Sequence, residues 1–236
     1  MKVLVIPDVH LKPWMFTRAS ELMKEKKADD AVCLMDIPDD WDQQFNIDLY
    51  AQTYDAAIAF AKEYPDTLWC YGNHDLSYLW DQMESGFSAL AQWTVCEKLR
   101  VLRESLPNER QLAFLHRIDD VLFSHGGLAD VFVRLYVPAS FFNVEDAAVE
   151  TINGLGPNVM WQDLSPIWFR PQSGGEKLFR PNNLLQVVGH TPVERLERKG
   201  NLISCDVFST YRSGRPIGTQ EFLLLDTVTW EFEGAR

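Results

Sequence analysis

The sequence predicts a single α/β domain, and two observations favour it. Short apolar runs typical of buried strands alternate with stretches of helical periodicity from residue 2 to residue 71. Strand, helix, strand steps of this kind imply right-handed crossovers and a largely parallel sheet. Hydrophobic residues make up 46% of the 236-residue chain and aromatic residues 12%, so one large core can be buried. We therefore expect residues 1–236 to form one domain.

The first half of the chain predicts three strands and two helices in alternation. The opening run MKVLVIPDVHL, residues 1–11, begins as a buried strand and then becomes polar. Residues 16–27 carry apolar side chains at helical spacing, and residues 48–62 repeat that pattern. The strands that follow these helices are AVCLM at 31–35 and TLWCY at 67–71.

The second half predicts one helix over residues 87–106 and then mainly strands. Between the strands, residues 129–183 are rich in proline and tryptophan, which indicates loops and short helices. We expect this segment to be a lid-like insertion over the site. The strands are predicted at residues 112–115, 121–124, 184–188, 202–205 and 222–225.

The charge balance excludes some classes of partner. The chain has 22 Lys and Arg against 34 Asp and Glu, a net charge of −12, which argues against wrapping nucleic acid or lying on an anionic membrane. The four cysteines show no C-x-x-C spacing and are interpreted as reduced core residues. With neither a charged leader nor an apolar run of membrane-spanning length, a cytoplasmic enzyme is expected. The oligomeric state stays open.

Side chains that bind metals stand where the predicted strands end. Open α/β sheets place their ligand sites at the carboxyl ends of strands. Four of the five histidines lie at such positions, whereas His116 has no motif around it and is interpreted as a core residue. The strand-end residues are, in chain order, Asp8 and His10, Asp36, Asn73 and His74, His125, and His190.

The first of these pairs, Asp8 and His10, is expected to share one face of the first strand, because alternate side chains of a strand point the same way. A capping aspartate beside a surface histidine would have the same local sequence, so the pair alone is weak evidence. The metal-binding residue types at the other predicted strand ends favour a metal site. Mixed carboxylate, amide and imidazole ligands suit Mn, Fe or Zn better than Ca, which prefers oxygen alone.

These motifs resemble those of the calcineurin-like binuclear metallophosphoesterases. Their order and spacing are similar to the branch that contains serine/threonine protein phosphatases and bacterial diadenosine tetraphosphatases. The resemblance implies the family fold, a two-sheet β-sandwich flanked by helices. The matching segments are Asp8-Val9-His10, Asp36 with Asp39, Gly72-Asn73-His74-Asp75, Ser124-His125-Gly126-Gly127 and Gly189-His190.

The resemblance implies two divalent or transition metal ions that share Asp36. In such proteins the two cations share a hydroxide, which attacks phosphorus in line. The other implied ligands are Asp8 and His10 for the first ion, and Asn73, His125 and His190 for the second.

The resemblance also gives His74 a catalytic role. His74 is expected to protonate the leaving oxygen, while Asp75 fixes the His74 tautomer and raises its pKa. The second interpretation of Asp75 is the N-cap of a following helix, and the two roles are compatible.

The sequence departs from the family at the phosphate clamp. Relatives have Gly-Asp-x-x-Asp-Arg-Gly where this chain reads MDIPDDW at residues 35–41, so Asp40 replaces the clamping arginine. A carboxylate repels phosphate, whereas arginine donates two hydrogen bonds to it. Arg170, in a Trp-Phe-Arg run, and Arg180 are the candidates for the clamp, and each could equally be a solvent-facing arginine. Aligning residues 161–163 instead would place another aspartate there.

The expected function is hydrolysis of a phosphomonoester on a phosphoprotein or a nucleotide-type substrate. Cleavage of a phosphodiester or a dinucleoside polyphosphate is the second candidate, since the same metal pair serves both. Diester-cleaving relatives usually end in Gly-His-x-His, whereas Thr191-Pro192 follows His190, which favours the protein phosphatase and dinucleotide phosphatase side. A third interpretation, motivated by Asp40, is a non-catalytic metal-binding scaffold of the same fold.

Overall fold

A computed structural model of the chain describes residues 1–180 and 182–236. Two β-sheets pack face to face, and helices cover the outer face of each sheet. The predicted fold class, a two-sheet sandwich flanked by helices, is confirmed. A cluster of apolar side chains between the sheets includes Val3, Val5, Phe123 and Val187.

The first sheet is mixed, whereas a largely parallel sheet was expected. Four adjacent strands that reach one edge are parallel to each other, and a C-terminal hairpin forms the other edge in antiparallel fashion. The strand order across this sheet is Phe232–Ala235 (β11), Phe222–Asp226 (β10), Lys2–Ile6 (β1), Asp30–Cys33 (β2), Leu68–Cys70 (β3) and Leu112–Ala113 (β4).

The second sheet has a parallel centre and two antiparallel edge strands. The strand order is Leu115–Ile118 (β5), Val121–Ser124 (β6), Leu185–Val188 (β7), Leu202–Ser204 (β9) and Glu197–Lys199 (β8). The single strand predicted at 112–115 is therefore wrong, because the chain passes from one sheet to the other at Phe114. The Asn153 side chain holds this crossing by accepting hydrogen bonds from the N–H groups of Phe114 and Leu115.

The helices divide between the two outer faces. The longest ones pack their buried side chains into the core of the first sheet. Among the described residues, no helix is both long and apolar enough to span a bilayer. The helices are Trp14–Lys26 (α1), Ile47–Glu63 (α2), Asn73–Leu79 (α3), Gln92–Ser105 (α4), Asp130–Tyr136 (α5), Glu145–Asn153 (α6) and Pro157–Met160 (α7).

Helix α4 begins five residues later than the predicted start at residue 87. Residues just before it form turns around Gly86, whose φ of +88° suits glycine. His116 is a core residue, as predicted: it is 8% exposed, its Nε2 lies 3.1 Å from the Trp69 carbonyl oxygen, and burial lowers its pKa to about 4.

The segment 129–183 forms much of the outer layer of the second sheet, and its Pro181 lies outside the described residues. Phe132, Ile152 and Met160 of helices α5 to α7 are buried in one apolar cluster with strand residues of that sheet. The segment is thus an integral layer of the fold as well as a neighbour of the site. Its role as a lid stays a prediction.

Candidate metal centre

The loops that follow β1 and β2 run side by side and bring the first donor groups together. The His10 N–H donates to the Asp36 carbonyl oxygen at 2.8 Å. Both residues have a positive backbone φ, +42° for His10 and +41° for Asp36, which residues other than glycine rarely adopt. Strand β1 ends at Ile6, so Asp8 and His10 lie in a loop. The pairing of two loops, rather than strand alternation, makes them neighbours.

Asp36 is shared by two groups of possible metal ligands. Donor atoms of Asp8, His10 and Asp36 all lie within 4.8 Å of one another. The same holds for donor atoms of Asp36, His125 and His190. The structure thus brings these residues, which the resemblance assigned to metal binding, into two groups that have Asp36 in common.

Asn73 completes the second group. The Asn73 Oδ1 lies 3.1 Å from His125 Nε2. Asp36 Oδ2 and His190 Nδ1 each lie at the same distance from that nitrogen. Oxygen and nitrogen donors that converge in this way suit a borderline transition metal ion.

Backbone carbonyl groups orient two of the imidazoles. His125 Nδ1 lies 2.9 Å from the Leu34 carbonyl oxygen, and His10 Nδ1 lies 3.0 Å from the Asp39 carbonyl oxygen. A carbonyl oxygen accepts a hydrogen bond from a protonated Nδ1, which leaves Nε2 free to bind a metal.

Two glycines let the carboxylates approach. A Cβ at Gly72 would overlap Asp36 Oδ1, and a Cβ at Gly189 would overlap Asp8 Oδ2. Each glycine directly precedes a predicted ligand, Asn73 or His190. The glycines of these two motifs are therefore required by the close packing of carboxylate against backbone.

The electrostatics of the centre fit bound cations. Asp8, Asp36 and Asp206 are each at most 2% exposed. Burial and the charge of Asp206 raise the pKa of Asp8 well above its usual value, and Asp8 Oδ2 has no hydrogen-bond partner among the described residues. Burial also raises the pKa of Asp36, but His125 and His74 outweigh this and hold that pKa well below its usual value. Buried carboxylates of this kind are normally paired or bound to metals.

His74 stands at the start of α3, lines the cavity described below, and is oriented by Asp39. Its Nδ1 lies 2.9 Å from Asp39 Oδ2. Burial lowers the pKa of His74, but Asp36 and the hydrogen bond to Asp39 outweigh it and raise that pKa to about 9. The predicted pairing of His74 with Asp75 is therefore wrong. Asp39 belongs to the quoted motif, but no role was assigned to it from the sequence.

Asp39 is itself held in place. The Tyr50 and Tyr78 hydroxyls both donate to its Oδ1, which leaves Oδ2 for His74. Asp39 is 2% exposed, with a φ of +66°. This network fixes the carboxylate that the imidazole contacts.

Asp75 points into the core, away from the His74 ring nitrogens. It accepts hydrogen bonds from the N–H of Ile37 at 3.2 Å, the hydroxyl of Tyr54 at 3.0 Å and the N–H of Gly72 at 3.2 Å. Because Gly72 caps α3, Asp75 satisfies the start of that helix from its third position, close to the second interpretation. Burial and the charge of Asp36 raise the pKa of Asp75 to about 7.

A cavity of about 660 Å³ opens over the two groups of possible metal ligands, and only one of the two candidate arginines lines it. Trp168 and Arg170 line it, and Arg170 Nη1 donates to the His190 carbonyl oxygen at 2.6 Å. Arg180 instead forms an ion pair with Glu145 and is not part of the cavity lining. The structure therefore corrects Arg180, whose guanidinium is engaged elsewhere, and leaves Arg170 as the clamp candidate.

Asp40, which stands where relatives have arginine, lines the cavity beside a lysine that the sequence did not single out. Lys12 Nζ lies 3.4 Å from Asp40 Oδ2 and donates to the His10 carbonyl oxygen at 3.1 Å. The Lys12 charge offsets part of the repulsion that Asp40 was expected to exert on phosphate.

Asp206 is a second residue that the sequence analysis missed. It follows the end of β9 by two residues, as Asp8 follows β1 and His190 follows β7. The same strand-end criterion could therefore have found it. It lines the cavity together with His10 and Asp36.

An αββα sandwich with two donor groups joined by one carboxylate at its strand ends defines a metallophosphoesterase. The chain belongs to the calcineurin-like phosphoesterase family, whose profile matches residues 1–214. Membership makes it a metal-dependent phosphohydrolase, and its site groups fit the divalent metals that the family uses. Comparison with curated protein sequences finds no significant match.

Solved structures of low sequence identity share the fold. The cold-active protein-tyrosine phosphatase of a psychrophilic Shewanella species aligns with a TM-score of 0.59 at 18% identity, over 100% of this chain and 80% of that chain. Another structure of a cold-active protein tyrosine phosphatase aligns with a TM-score of 0.55 at 19% identity, over 99% of this chain and 78% of that chain. At such identities the likeness concerns the fold alone.

Proposed function

We propose that this protein is a phosphatase that hydrolyses phosphomonoesters with two bound metal ions. The observation that carries the proposal is the sharing of Asp36 by two donor groups, with His74 beside them on the cavity wall. One shared carboxylate between two cation positions is the arrangement used for in-line phosphoryl transfer to water. The cytoplasmic location and a phosphorylated substrate belong to the same proposal.

In this reaction the donor groups, Arg170 and His74 have different roles. Two cations bound to these groups supply Lewis acidity and, at neutral pH, a hydroxide nucleophile. Arg170 adds a positive charge at the cavity and orients the phosphoryl oxygens. His74, whose protonated form is favoured by the hydrogen bond between its Nδ1 and Asp39, donates a proton to the leaving oxygen.

The cavity has room for a leaving group larger than a phosphate. Trp41, Phe87 and Trp168 line it and offer flat apolar surfaces. Phosphotyrosine and nucleotide-type monoesters both present a ring to such surfaces. Because the similar Shewanella protein is named as a protein-tyrosine phosphatase, a phosphotyrosine peptide is the first natural-type substrate to test.

A monoester preference is the direct test of the proposed reaction. With Mn²⁺ present, kcat/KM for p-nitrophenyl phosphate should exceed that for bis-p-nitrophenyl phosphate by about tenfold or more, because Arg170 and the cations favour a dianionic group. Initial rates at several substrate concentrations measure both values. A strong preference for the diester would move the protein to the phosphodiesterase candidate, and no metal-dependent turnover of either ester would favour the scaffold.

The two arginines should differ in their effect on substrate binding. Arg170→Ala is expected to raise KM about tenfold or more, because a charge-assisted contact to phosphate is worth about 1.5 to 3 kcal/mol. Arg180→Ala is the matched control and should leave KM within about twofold, since its guanidinium pairs with Glu145. Equal KM values in wild type and Arg170→Ala would show that Arg170 does not contact the phosphate.

A further inference from the structure

Asp206 lies opposite a predicted metal ligand on the neighbouring strand. Strands β7 and β9 pair in parallel, with Val188 opposite Ser204. Two residues further along each strand direction come His190 and Asp206. Asp206 is 1% exposed, so its carboxylate is enclosed by the site rather than solvated.

The backbone after His190 is tied to Asp206. In the Gly-His-x-His pattern the second histidine would fall at Pro192, which cannot bind a metal. The Val193 N–H donates to the Asp206 carbonyl oxygen at 2.8 Å, and both Pro192 and Asp206 line the cavity. Asp206 therefore stands next to the place that the absent histidine would occupy.

The Asp206 carboxylate retains capacity to bind a cation. Its Oδ1 accepts from the Ser209 N–H at 3.2 Å and its Oδ2 from the Ser209 hydroxyl at 2.9 Å, which leaves a lone pair on each oxygen. Nearby, Asp8 Oδ2 is buried without a hydrogen-bond partner among the described residues. The two carboxylates repel each other, and a cation between them would remove that repulsion.

We propose that Asp206 is a further metal-binding residue of the first group, which contains Asp8, His10 and Asp36. It would take the place of the second histidine of the Gly-His-x-His pattern. The inference rests on the proposed two-metal function. Asp8, His10, Asp36 and Asp206 then give that group three carboxylates and one imidazole. Such an oxygen-rich set suits Mn²⁺ better than the second group, which has two imidazoles.

Calorimetric titration of the full chain with Mn²⁺ tests this role without any phosphate ester. The wild type should bind two Mn²⁺, and Asp206→Asn should weaken one of the two sites by about 10- to 100-fold. Asparagine keeps an acceptor for the Ser209 N–H, so the loop is preserved. Asp30→Asn is the matched control, because this partly buried carboxylate precedes the buried part of β2, at the opposite end from the site, and its loss should leave both affinities unchanged.

Thermal unfolding separates metal binding from a structural role. Mn²⁺ should raise the Tm of Asp206→Asn less than it raises the wild-type Tm, because the variant binds the ion more weakly. Wild-type Mn²⁺ affinities in Asp206→Asn, or a lower metal-free Tm with an undiminished Mn²⁺ effect, would overturn the proposal. Asp206-dependent binding of two Mn²⁺ without turnover of phosphomonoesters would instead disprove the proposed function and support the metal role.

Discussion

Asp36→Asn is expected to lose both metal binding and turnover, the largest effect of any substitution proposed for this chain. Asp36 belongs to both donor groups, and its Oδ1 also accepts a hydrogen bond from the His74 N–H at 2.9 Å. Neutralising it removes the charge shared by the two cation positions. kcat/KM for p-nitrophenyl phosphate should fall on the order of 10³-fold. Metal analysis of the purified variant should find less than the wild-type content.

The control for Asp36→Asn is the same substitution at a carboxylate that lies outside the site. Asp30→Asn makes the same change on the same strand, β2, but before its buried part, and should retain wild-type activity and metal content. Circular dichroism of both variants checks the fold. Wild-type turnover by a folded Asp36→Asn protein would mean that the reaction does not depend on a shared carboxylate, and the two-metal proposal would fall.

The position of Asp36 was predictable because strand and site obey the same rule. A buried parallel strand needs a continuous apolar run, and the chain reverses where that run ends, so the first polar side chains collect at one edge of the sheet. This argument locates Asp8, Asp36 and His190 from local sequence alone. It applies equally to Asp206, which was overlooked because no familiar motif surrounds it.

The partner of His74 was not predictable in this way. His74 and Asp75 are consecutive residues of α3, and consecutive helical side chains point about 100° apart. Asp75 therefore reaches the buried Tyr54 hydroxyl while His74 faces the cavity. Asp39 meets His74 only through the tertiary packing of a loop with positive φ. Neighbours in sequence suggested a pair that helix geometry separates.

Two edge strands and the crossing between the sheets could not be predicted from local sequence either. Strand β8 reads Glu-Arg-Lys and β11 reads Phe-Glu-Gly-Ala, so neither carries the apolar run that predicts a strand. Both are held by backbone pairing with a single neighbour. The change of sheet at Phe114 depends on the distant Asn153 side chain, for which the sequence around β4 contains no signal.

His74→Asn should lower kcat by about 10²- to 10⁴-fold for phenyl phosphate, whose leaving oxygen needs a proton. The loss should be much smaller for 2,4-dinitrophenyl phosphate, because that leaving group departs as a stable anion. Metal content should stay at the wild-type value, since His74 is in neither donor group. An equal loss with both esters would show that His74 does not act as the acid.

The pH profile then tests which carboxylate supports His74. Burial lowers the pKa of His74, but Asp36 and Asp39 raise it to about 9 when no cation is bound. Cations bound to Asp36 would offset the effect of that carboxylate, so activity should decline with rising pH, at a pH below this value, as His74 loses its proton. Asp39→Asn removes the negative charge next to the His74 imidazole, which lowers the pKa of His74 and should move this decline to lower pH. Asp75→Asn, the matched control, should lower Tm by disrupting the hydrogen bonds of Ile37 and Tyr54, yet leave the decline in place. A shift in Asp75→Asn without a shift in Asp39→Asn would restore the pairing that the sequence suggested.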